Sequence, residues 1–316
     1  MKKKVFLISI PLIVLASLLI PVTQQKTVLI KSPFLNVYSL LANPEQWEKW
    51  RPDLKKDVLA DSSRISIKKD TGSFFIKYDD LKITAKITGN YWGVSDSTTD
   101  KTVNYGYAVA PLPDKLPAQT LLTVDKKTNV LNYLISLASP QSFSETHVND
   151  LKNYMEIDSL HYGFRIFKTG VPEAYLIVAE NSALKKDEFS TATKLLSELQ
   201  QFVMTNNAKQ THPLIAQFLP KTTDSVHVKV GFFIDKEVKS NKIVTFNRMP
   251  KGGPLYAVKF SGKFEKRQAA YTALSQYYAD HLYQSAILPF EMYLDNKLPT
   301  SDTSKVNIQV NFSGFF

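Results

Sequence analysis

Two stretches, Glu173-Ala-Tyr-Leu-Ile-Val-Ala179 and Pro254-Leu-Tyr-Ala-Val-Lys-Phe260, decide the fold of the second half of the chain. They align Tyr175 with Tyr256 at an offset of 81. Each predicts a strand, and each leads into a segment with the apolar spacing of a helix, over 187–204 and 266–283. A repeat of this kind indicates two copies of one structural unit.

The repeat continues beyond the two helices. Pro213-Leu-Ile-Ala-Gln-Phe-Leu219 matches Leu288-Pro-Phe-Glu-Met-Tyr-Leu294, and Val226-His-Val-Lys-Val230 matches Val306-Asn-Ile-Gln-Val310. A further strand is predicted before each copy, over 162–167 and 242–247. The pattern predicts a strand-helix-strand-strand module duplicated about a pseudo-two-fold axis, with one antiparallel sheet and both helices on the same face. A cleft between the two halves follows from that symmetry.

This half of the chain, residues 157–316, resembles the GyrI-like small-molecule-binding domain, the effector-binding domain of AraC- and MerR-type regulators. The matching residues are 249–257, Phe260-Ser-Gly-Lys-Phe264, Ala270-Tyr271-x-x-Leu274 and 289–294. The resemblance implies a cleft that binds small apolar or cationic ligands without catalysis. Two departures are the absence of the family's usual Trp in the second helix and of a helix-turn-helix before the domain, so binding of DNA is not implied.

Glu291 is the candidate ligand-binding acid, because its counterpart in the first copy is Ala216 and its strand is otherwise apolar. A carboxylate walled by aromatic rings is a receptor for an organic cation, through charge pairing and cation–π contacts. The resemblance also implies a cavity acid at this position, whereas the pattern alone equally allows a solvated glutamate. The candidate aromatic walls, which could instead be packing residues, are Tyr256, Tyr271, Tyr293, Phe260 and Tyr277.

Two alternatives to a simple binding function remain open. Relatives of the GyrI-like domain that hydrolyse small strained electrophiles use a cavity acid and a tyrosine, a role open to Glu291 with Tyr256 or Tyr271. The other alternative is a ligand-sensing regulator that acts through a protein partner. No residue is assigned as catalytic, and no cofactor or metal is expected, because standard catalytic motifs are missing and the five histidines lack ligand spacing.

The N-terminus carries a membrane signal. Three lysines, at positions 2–4, precede the uncharged apolar run Val5–Val22, which is just long enough to cross a hydrocarbon core of about 30 Å. The positive-inside rule predicts a single-pass protein with a cytoplasmic N-terminus and the rest of the chain on the outer side of the membrane. The alternative is a cleaved signal peptide and a secreted protein. Residues 1–25 are assigned to this segment.

Residues 26–156 predict a separate antiparallel domain. A strand at 26–30 is followed by a helix from Ser32-Pro33, by Asn43-Pro44-Glu45-Gln46-Trp47-Glu48-Lys49-Trp50-Arg51-Pro52, by several alternating segments and by a late helix around 148–155. These residues resemble the START-like polyketide cyclase/dehydrase family, also called SRPBCC. The resemblance implies a helix-grip fold, a curved sheet wrapped around a long C-terminal helix with an apolar cavity, although Ser139-Pro140 interrupts that helix here. The predicted class is α+β.

Composition excludes several functions. The chain of 316 residues has no cysteine, which removes disulfide scaffolds, thiolate metal sites and cysteine nucleophiles. Its formal net charge is +10, but only five of the 39 basic residues are arginine. Arginine is the residue suited to bidentate recognition of bases and phosphates, so no nucleic-acid partner is expected.

Overall fold

The computed structural model describes residues 20–55, 65–112, 118–137 and 143–314. Contacts between residues divide the chain after Ile157 into two compact units. Each unit has its own antiparallel sheet and its own apolar core. The fold is therefore described unit by unit.

The first unit is a meander of strands in the order β1-β7-β6-β5-β4-β3-β2. The strands from β2 to β7 each pair with the next one along the chain, while β1 closes on β7 and so brings the start of the unit beside its last strand. They are β1 Pro21–Ile30, β2 Ile65–Asp70, β3 Ser73–Tyr78, β4 Leu81–Thr88, β5 Tyr91–Ser97, β6 Thr102–Leu112 and β7 Gln119–Asn129. The alternation of apolar and polar residues predicted five of these strands, β1 to β4 and β6, and missed β5 and β7.

Five helices accompany this sheet among the described residues: α1 Phe34–Ala42, α2 Trp47–Trp50, α3 Pro52–Lys55, α4 Val130–Leu137 and α5 Val148–Glu156. The two tryptophans of α2 are buried against the sheet with Trp92, so the Trp-x-x-Trp motif is a packing element. The expected late helix is present as α5, which is nine residues long. The Ser139-Pro140 break lies outside the described residues.

Strand β1 begins earlier than the sequence predicts. It was expected at Lys26 and starts at Pro21, because β7 offers pairing partners as far as Asn129 and an unpaired backbone beside it would forgo those hydrogen bonds. The end of the predicted anchor, Pro21 and Val22, is thus strand, and residues 5–19 of that run lie outside the described residues. Among the residues that are described, no helix is long and apolar enough to span a membrane.

The second unit contains the predicted repeat as one sheet in the order β12-β9-β11-β10-β14-β15-β13-β8. The inner six strands form two copies, β9-β11-β10 and β14-β15-β13, whose strand order is reversed across a pseudo-two-fold axis. The strand that enters each copy pairs with the other copy, β8 with β13 and β12 with β9, which ties the halves together. The strands are β8 Ile166–Gly170, β9 Tyr175–Leu184, β10 Ile215–Pro220, β11 Ser225–Phe233, β12 Val244–Arg248, β13 Pro254–Lys263, β14 Phe290–Tyr293 and β15 Lys305–Ser313.

Two long helices of this unit, α7 Glu188–Thr205 and α8 Gln268–His281, pack on the same face of the sheet, as predicted. Apolar residues of both helices belong to one core cluster with the sheet. A short helix, α6 Asp158–His161, precedes β8, which begins at Ile166 rather than at the predicted Tyr162. Each long helix is entered through a 3-10 turn, Lys185–Asp187 before α7 and Phe264–Arg267 before α8.

The pseudo-two-fold axis passes between β10 and β14. Only two residue pairs join these strands, Ile215 with Met292 and Ala216 with Glu291. The two residues that the repeat aligned as counterparts are therefore direct neighbours across the axis. This places a lone carboxylate at the centre of the sheet, on the face that carries the helices.

Candidate functional site

Glu291 is held by hydrogen-bond donors from three elements of the second repeat. Its carboxylate accepts bonds from Arg267 Nε at 2.7 Å and the Tyr271 hydroxyl at 3.0 Å, both on Oε1, and from the Tyr293 hydroxyl at 2.5 Å on Oε2. Arg267 ends the 3-10 turn, Tyr271 lies in the first turn of α8, and Tyr293 is two residues along β14, on the same face. The Glu291 side chain is only 1% exposed, so it is fully partnered within the protein.

The cation beside Glu291 is itself enclosed by aromatic rings. The guanidinium carbon of Arg267 lies 3.4 Å from the centroid of the Phe264 ring and 5.9 Å from that of Phe218. Its NH1 also donates to the Phe264 carbonyl oxygen at 3.1 Å. The sequence predicted that Glu291 binds the cation of a ligand, whereas in the structure Arg267 of the chain itself is paired with that carboxylate.

The two tyrosines on Glu291 remain protonated donors over the ordinary pH range. Burial, and then the Glu291 carboxylate, raise the pKa of the Tyr271 hydroxyl, and the same two causes raise the pKa of Tyr293. The acid–tyrosine pair of the hydrolase hypothesis, Glu291 with Tyr271, is thus in contact. Its carboxylate is nevertheless enclosed, with Arg267 on the same oxygen as Tyr271.

The other predicted aromatic residues form a second cluster. The Tyr256 ring is stacked on Tyr283 with centroids 5.0 Å apart, their hydroxyls are 3.2 Å apart, and Tyr277 packs at 5.5 Å from Tyr256. Tyr277 is six residues after Tyr271 on α8, about 9 Å along the helix axis. Burial raises the pKa of Tyr277 to about 12. Phe260 is also buried, on the helix-bearing face of β13 together with Tyr256.

A cleft of about 370 Å³ opens between the two repeats. The first repeat contributes the entry to α7, the end of β10 and the start of β11, and the second contributes the 3-10 turn before α8 and a loop before β15. We call it the inter-repeat cleft. The residues that line it include Lys185, Glu188, Phe218, Phe264, Glu265, Arg267 and Asp302.

Glu188 is the unusual residue of this cleft. It is 7% exposed, and its carboxylate has no hydrogen bond or ion pair within the part of the chain that the structure describes. Burial, and then the nearby Asp302 carboxylate, raise the pKa of Glu188, while Arg267 and Lys185 oppose that rise. A carboxylate that borders a cleft on a largely buried residue can accept a cation or a hydrogen-bond donor from outside.

A second cleft, of about 390 Å³, lies on the helix-free face of the same sheet. Residues of β9 alternate between the two faces: Ile177 belongs to the core under the helices, and Leu176 and Val178 belong to a smaller apolar cluster. This second cleft is lined mainly by apolar side chains, among them Leu176, Ile215, Phe233, Met249 and Phe290. It offers apolar contact but no carboxylate.

The first unit has its own buried ionic cluster. Arg51 is fully buried and bonds the carboxylates of Asp53 at 2.6 Å and Asp96 at 2.8 Å, while Tyr105 donates to Asp96. Burial opposes ionisation of Asp53, but the bond and charge of Arg51 outweigh it and lower the pKa of that carboxyl. These groups satisfy one another, so the cluster fixes the turn after α2.

Sequence reasoning missed Arg267 and Glu188. One signal was present: Arg51 and Arg267 are two of only five arginines in a lysine-dominated chain. Arg51 donates to both carboxylate oxygens of Asp53, and Arg267 donates to the Glu291 carboxylate and the Phe264 carbonyl oxygen from two different nitrogens. Nothing comparable marks Glu188, because an acid in the first turn of a helix is ordinarily solvated and stabilised by the helix dipole.

The fold and the site define a two-unit α+β protein whose second unit is a duplicated sheet domain with a cleft between its repeats. Solved structures similar to parts of the chain include the following three. The EcmrR C-terminal domain is 18% identical and covers 48% of this chain and 98% of its own, with a TM-score of 0.40. A hydrolase from Listeria innocua is 10% identical, covering 48% and 92%, with a TM-score of 0.36.

The third similar structure is a START superfamily protein from Mycobacterium smegmatis. It is 15% identical and covers 42% of this chain and 97% of its own, with a TM-score of 0.28. No family model matches the chain, and no curated protein matches it.

Proposed function

We propose that the protein is a membrane-anchored, non-catalytic binder of small amphipathic cations, and that the inter-repeat cleft is its binding site. The observation that carries this proposal is Glu188, a largely buried residue whose carboxylate lines the cleft and makes no hydrogen bond or ion pair among the described residues. The cationic centre of the ligand pairs with Glu188, and the apolar body packs along Phe218 in the cleft lining.

Binding of a cation is supported by the unfavourable free energy of an ionised Glu188 carboxylate that has no ion pair in the described parts of the chain. Burial raises the pKa of Glu188, so its ionised form is disfavoured in the free protein, and a ligand that supplies the opposite charge offsets that cost. The volume of about 370 Å³ falls within the usual range for small-molecule sites.

Membrane attachment is supported by the amino-acid sequence. The apolar run from Val5 and the lysines at positions 2–4 have the length and charge asymmetry of an anchor whose following domains are exported. The proposed anchor consists of residues 5–20, the stretch before β1.

The test uses the full chain in lipid nanodiscs, with empty nanodiscs as the blank. Benzyltrimethylammonium, a quaternary cation with one aromatic ring, is titrated by isothermal calorimetry. Glu188→Gln should weaken its binding by about 10-fold to 100-fold, since a charged contact contributes about 1.5–3 kcal/mol. Glu265→Gln removes the same charge from an exposed position lining the same cleft and should have only a small effect.

The outcomes separate the two carboxylates of this unit. Unchanged affinity in Glu188→Gln would reject the site. Loss of binding in Glu291→Gln, with Glu188→Gln unaffected, would return the ligand to the residue first predicted from the sequence. Turnover of an epoxide panel that disappears in Glu291→Gln would instead support the hydrolase alternative.

A further inference from the structure

Helix α4, Val130–Leu137, has an apolar outer face. Leu131, Leu134 and Ile135 are 42%, 51% and 60% exposed, and their i, i+3, i+4 spacing places them on one side of the helix. The exposed side of a helix in a water-soluble domain normally carries charged and polar residues. This helix has no charged residue, and the chain has no acid between Asp125 and Glu145.

The orientation of α4 is set by the sheet. Val130 and Tyr133, on the other side of the helix, are partly buried, and α4 packs against β1 and β7. The exposed stripe is thus the side that the core does not use. Contiguous apolar residues on a surface mark contact sites for proteins or membranes.

The start of α4 lies beside the point where the chain enters the sheet. The Val130 backbone N–H donates to the carbonyl oxygen of Ile20 at 3.1 Å, and Pro21 is paired with Asn129. Ile20 is itself 53% exposed. The residues before it, from Val5, are the apolar run preceded by lysines, so the stripe lies where the proposed anchor joins the first unit.

The length of that run argues for contact between α4 and lipid. Because β1 begins at Pro21, the stretch free to cross the bilayer is Val5–Ile20. Sixteen residues of helix reach about 24 Å, some 6 Å short of a hydrocarbon core of about 30 Å. An amphipathic helix in the interface sinks about 5–10 Å into the boundary between headgroups and acyl chains. Sinking α4 by that depth would bring Ile20 to the level at which the anchor must end.

We propose that α4 lies in the bilayer interface, with Leu131, Leu134, Ile135 and Ile20 in contact with the acyl chains. Lys127, exposed near the end of β7, faces the headgroup level at the same edge and favours anionic lipid. This contact rests on the membrane attachment in the proposed function, and it adds a second, peripheral contact to the anchor. The first unit is then held at the membrane by its own surface as well as by the preceding segment.

The absence of cysteine gives a clean test, because one introduced cysteine labels one position. Full-length Leu134→Cys is labelled with an environment-sensitive fluorophore and reconstituted into vesicles containing brominated lipids. The matched control is Leu35→Cys on α1, at a leucine of the same unit that is 71% exposed. We expect quenching at position 134 at least about threefold stronger than at position 35, as befits a side chain within the acyl boundary.

Flotation of the vesicles is measured on the same samples. A chain that does not float has no membrane attachment, which overturns the proposed function and this contact together. A chain that floats but shows equal quenching at the two positions overturns the contact alone. A blue shift of the emission at position 134 that increases with protein density, without quenching by brominated lipid, would identify a second copy of the chain as the occupant. That result also overturns the contact with lipid. Emission from the buried tryptophans of this unit checks that each variant is folded.

Discussion

Replacing Arg267 by methionine tests whether the chain itself satisfies Glu291. The change removes the cation and the Nε bond of 2.7 Å to the carboxylate, and it keeps an apolar side chain near Phe264. Glu291 then remains buried with only the hydroxyls of Tyr271 and Tyr293. If Arg267 is the structural partner of Glu291, the second unit should lose stability without any ligand present.

The size of the loss follows from burial. Removing one partner of a buried ion pair costs about 3–5 kcal/mol. The Arg267 side chain is 20% exposed and two other donors stay on Glu291, so we expect about 2–3 kcal/mol, below that range. At about 2–4 °C per kcal/mol for a domain of 150–250 residues, the melting temperature of this unit should fall by about 4–12 °C.

The two units can be observed separately. All three tryptophans, Trp47, Trp50 and Trp92, lie in the first unit, so tryptophan fluorescence follows the unfolding of that unit. Circular dichroism or calorimetry follows both units. Arg267→Met should shift the transition that tryptophan emission does not report, and Lys266→Met, which removes the neighbouring exposed cation, should leave it in place.

The double variant completes the cycle. Adding Glu291→Gln to Arg267→Met removes the orphaned charge and keeps an oxygen acceptor for a tyrosine. It should recover about half of the lost stability or more, a coupling of about 1–2 kcal/mol. A melting temperature unchanged in Arg267→Met, or a double variant no more stable than the single one, would refute the assignment of Arg267 as the partner of Glu291.

Three further predictions concern single side chains. Glu188→Gln should raise the free energy of unfolding of the second unit at neutral pH, because folding raises the pKa of Glu188 and so penalises its ionised form. In urea titrations, wild type and variant should have equal stability in acid, and the variant should become the more stable of the two toward pH 7. A variant less stable than wild type at pH 7 would contradict this prediction. Tyr271→Phe should cost about 1.5–3 kcal/mol by losing a bond to a carboxylate, whereas Tyr277→Phe, whose hydroxyl bonds no group in the described residues, should stay within about 0.5 kcal/mol in the same melts. Arg51→Met should lower the stability of the first unit by about 3–5 kcal/mol, seen in the tryptophan transition, and an unchanged transition would show that its carboxylates are not orphaned.

The pH dependence of ligand binding has the same origin as that stability effect. A cation binds the ionised form of Glu188, so affinity for benzyltrimethylammonium should rise with pH through the raised pKa and then reach a plateau. Calorimetric titrations across that range provide the measurement. In Glu188→Gln the rise should disappear, and a rise that persists would assign the titration to another group.

The duplicated sheet could be predicted from the sequence because its signals are local. Alternating apolar residues define most of the strands, and the repeat aligns Ala216 with Glu291 as counterparts, which the structure pairs across the axis. The exchange of β8 and β12 between copies could not be predicted, since the pattern of a strand does not say which edge it joins. The start of β1 was missed because Pro21 and Val22 fit an apolar membrane run and a strand equally well.

The candidate site was predictable only in part, for a different physical reason. Glu291 and its two tyrosines stand on regular elements, so strand and helix periodicity brings them together. Arg267 and Glu188 stand where a 3-10 turn becomes a helix, and the direction of a side chain there depends on the length of the turn. The turn before α8 has four residues and the one before α7 has three, so the two copies differ at this point.

The two copies therefore present different charged groups to the inter-repeat cleft, Glu188 from the first and Arg267 from the second. Arg267 is balanced by Glu291, so it adds little net charge to the inter-repeat cleft. The remaining charged groups in the lining are three carboxylates, Glu188, Glu265 and Asp302, against the ammonium of Lys185. A ligand cation should therefore approach Glu188 and Asp302, because these carboxylates dominate the unbalanced charge of the lining. Its apolar body then extends toward Phe218, which also lines the cleft.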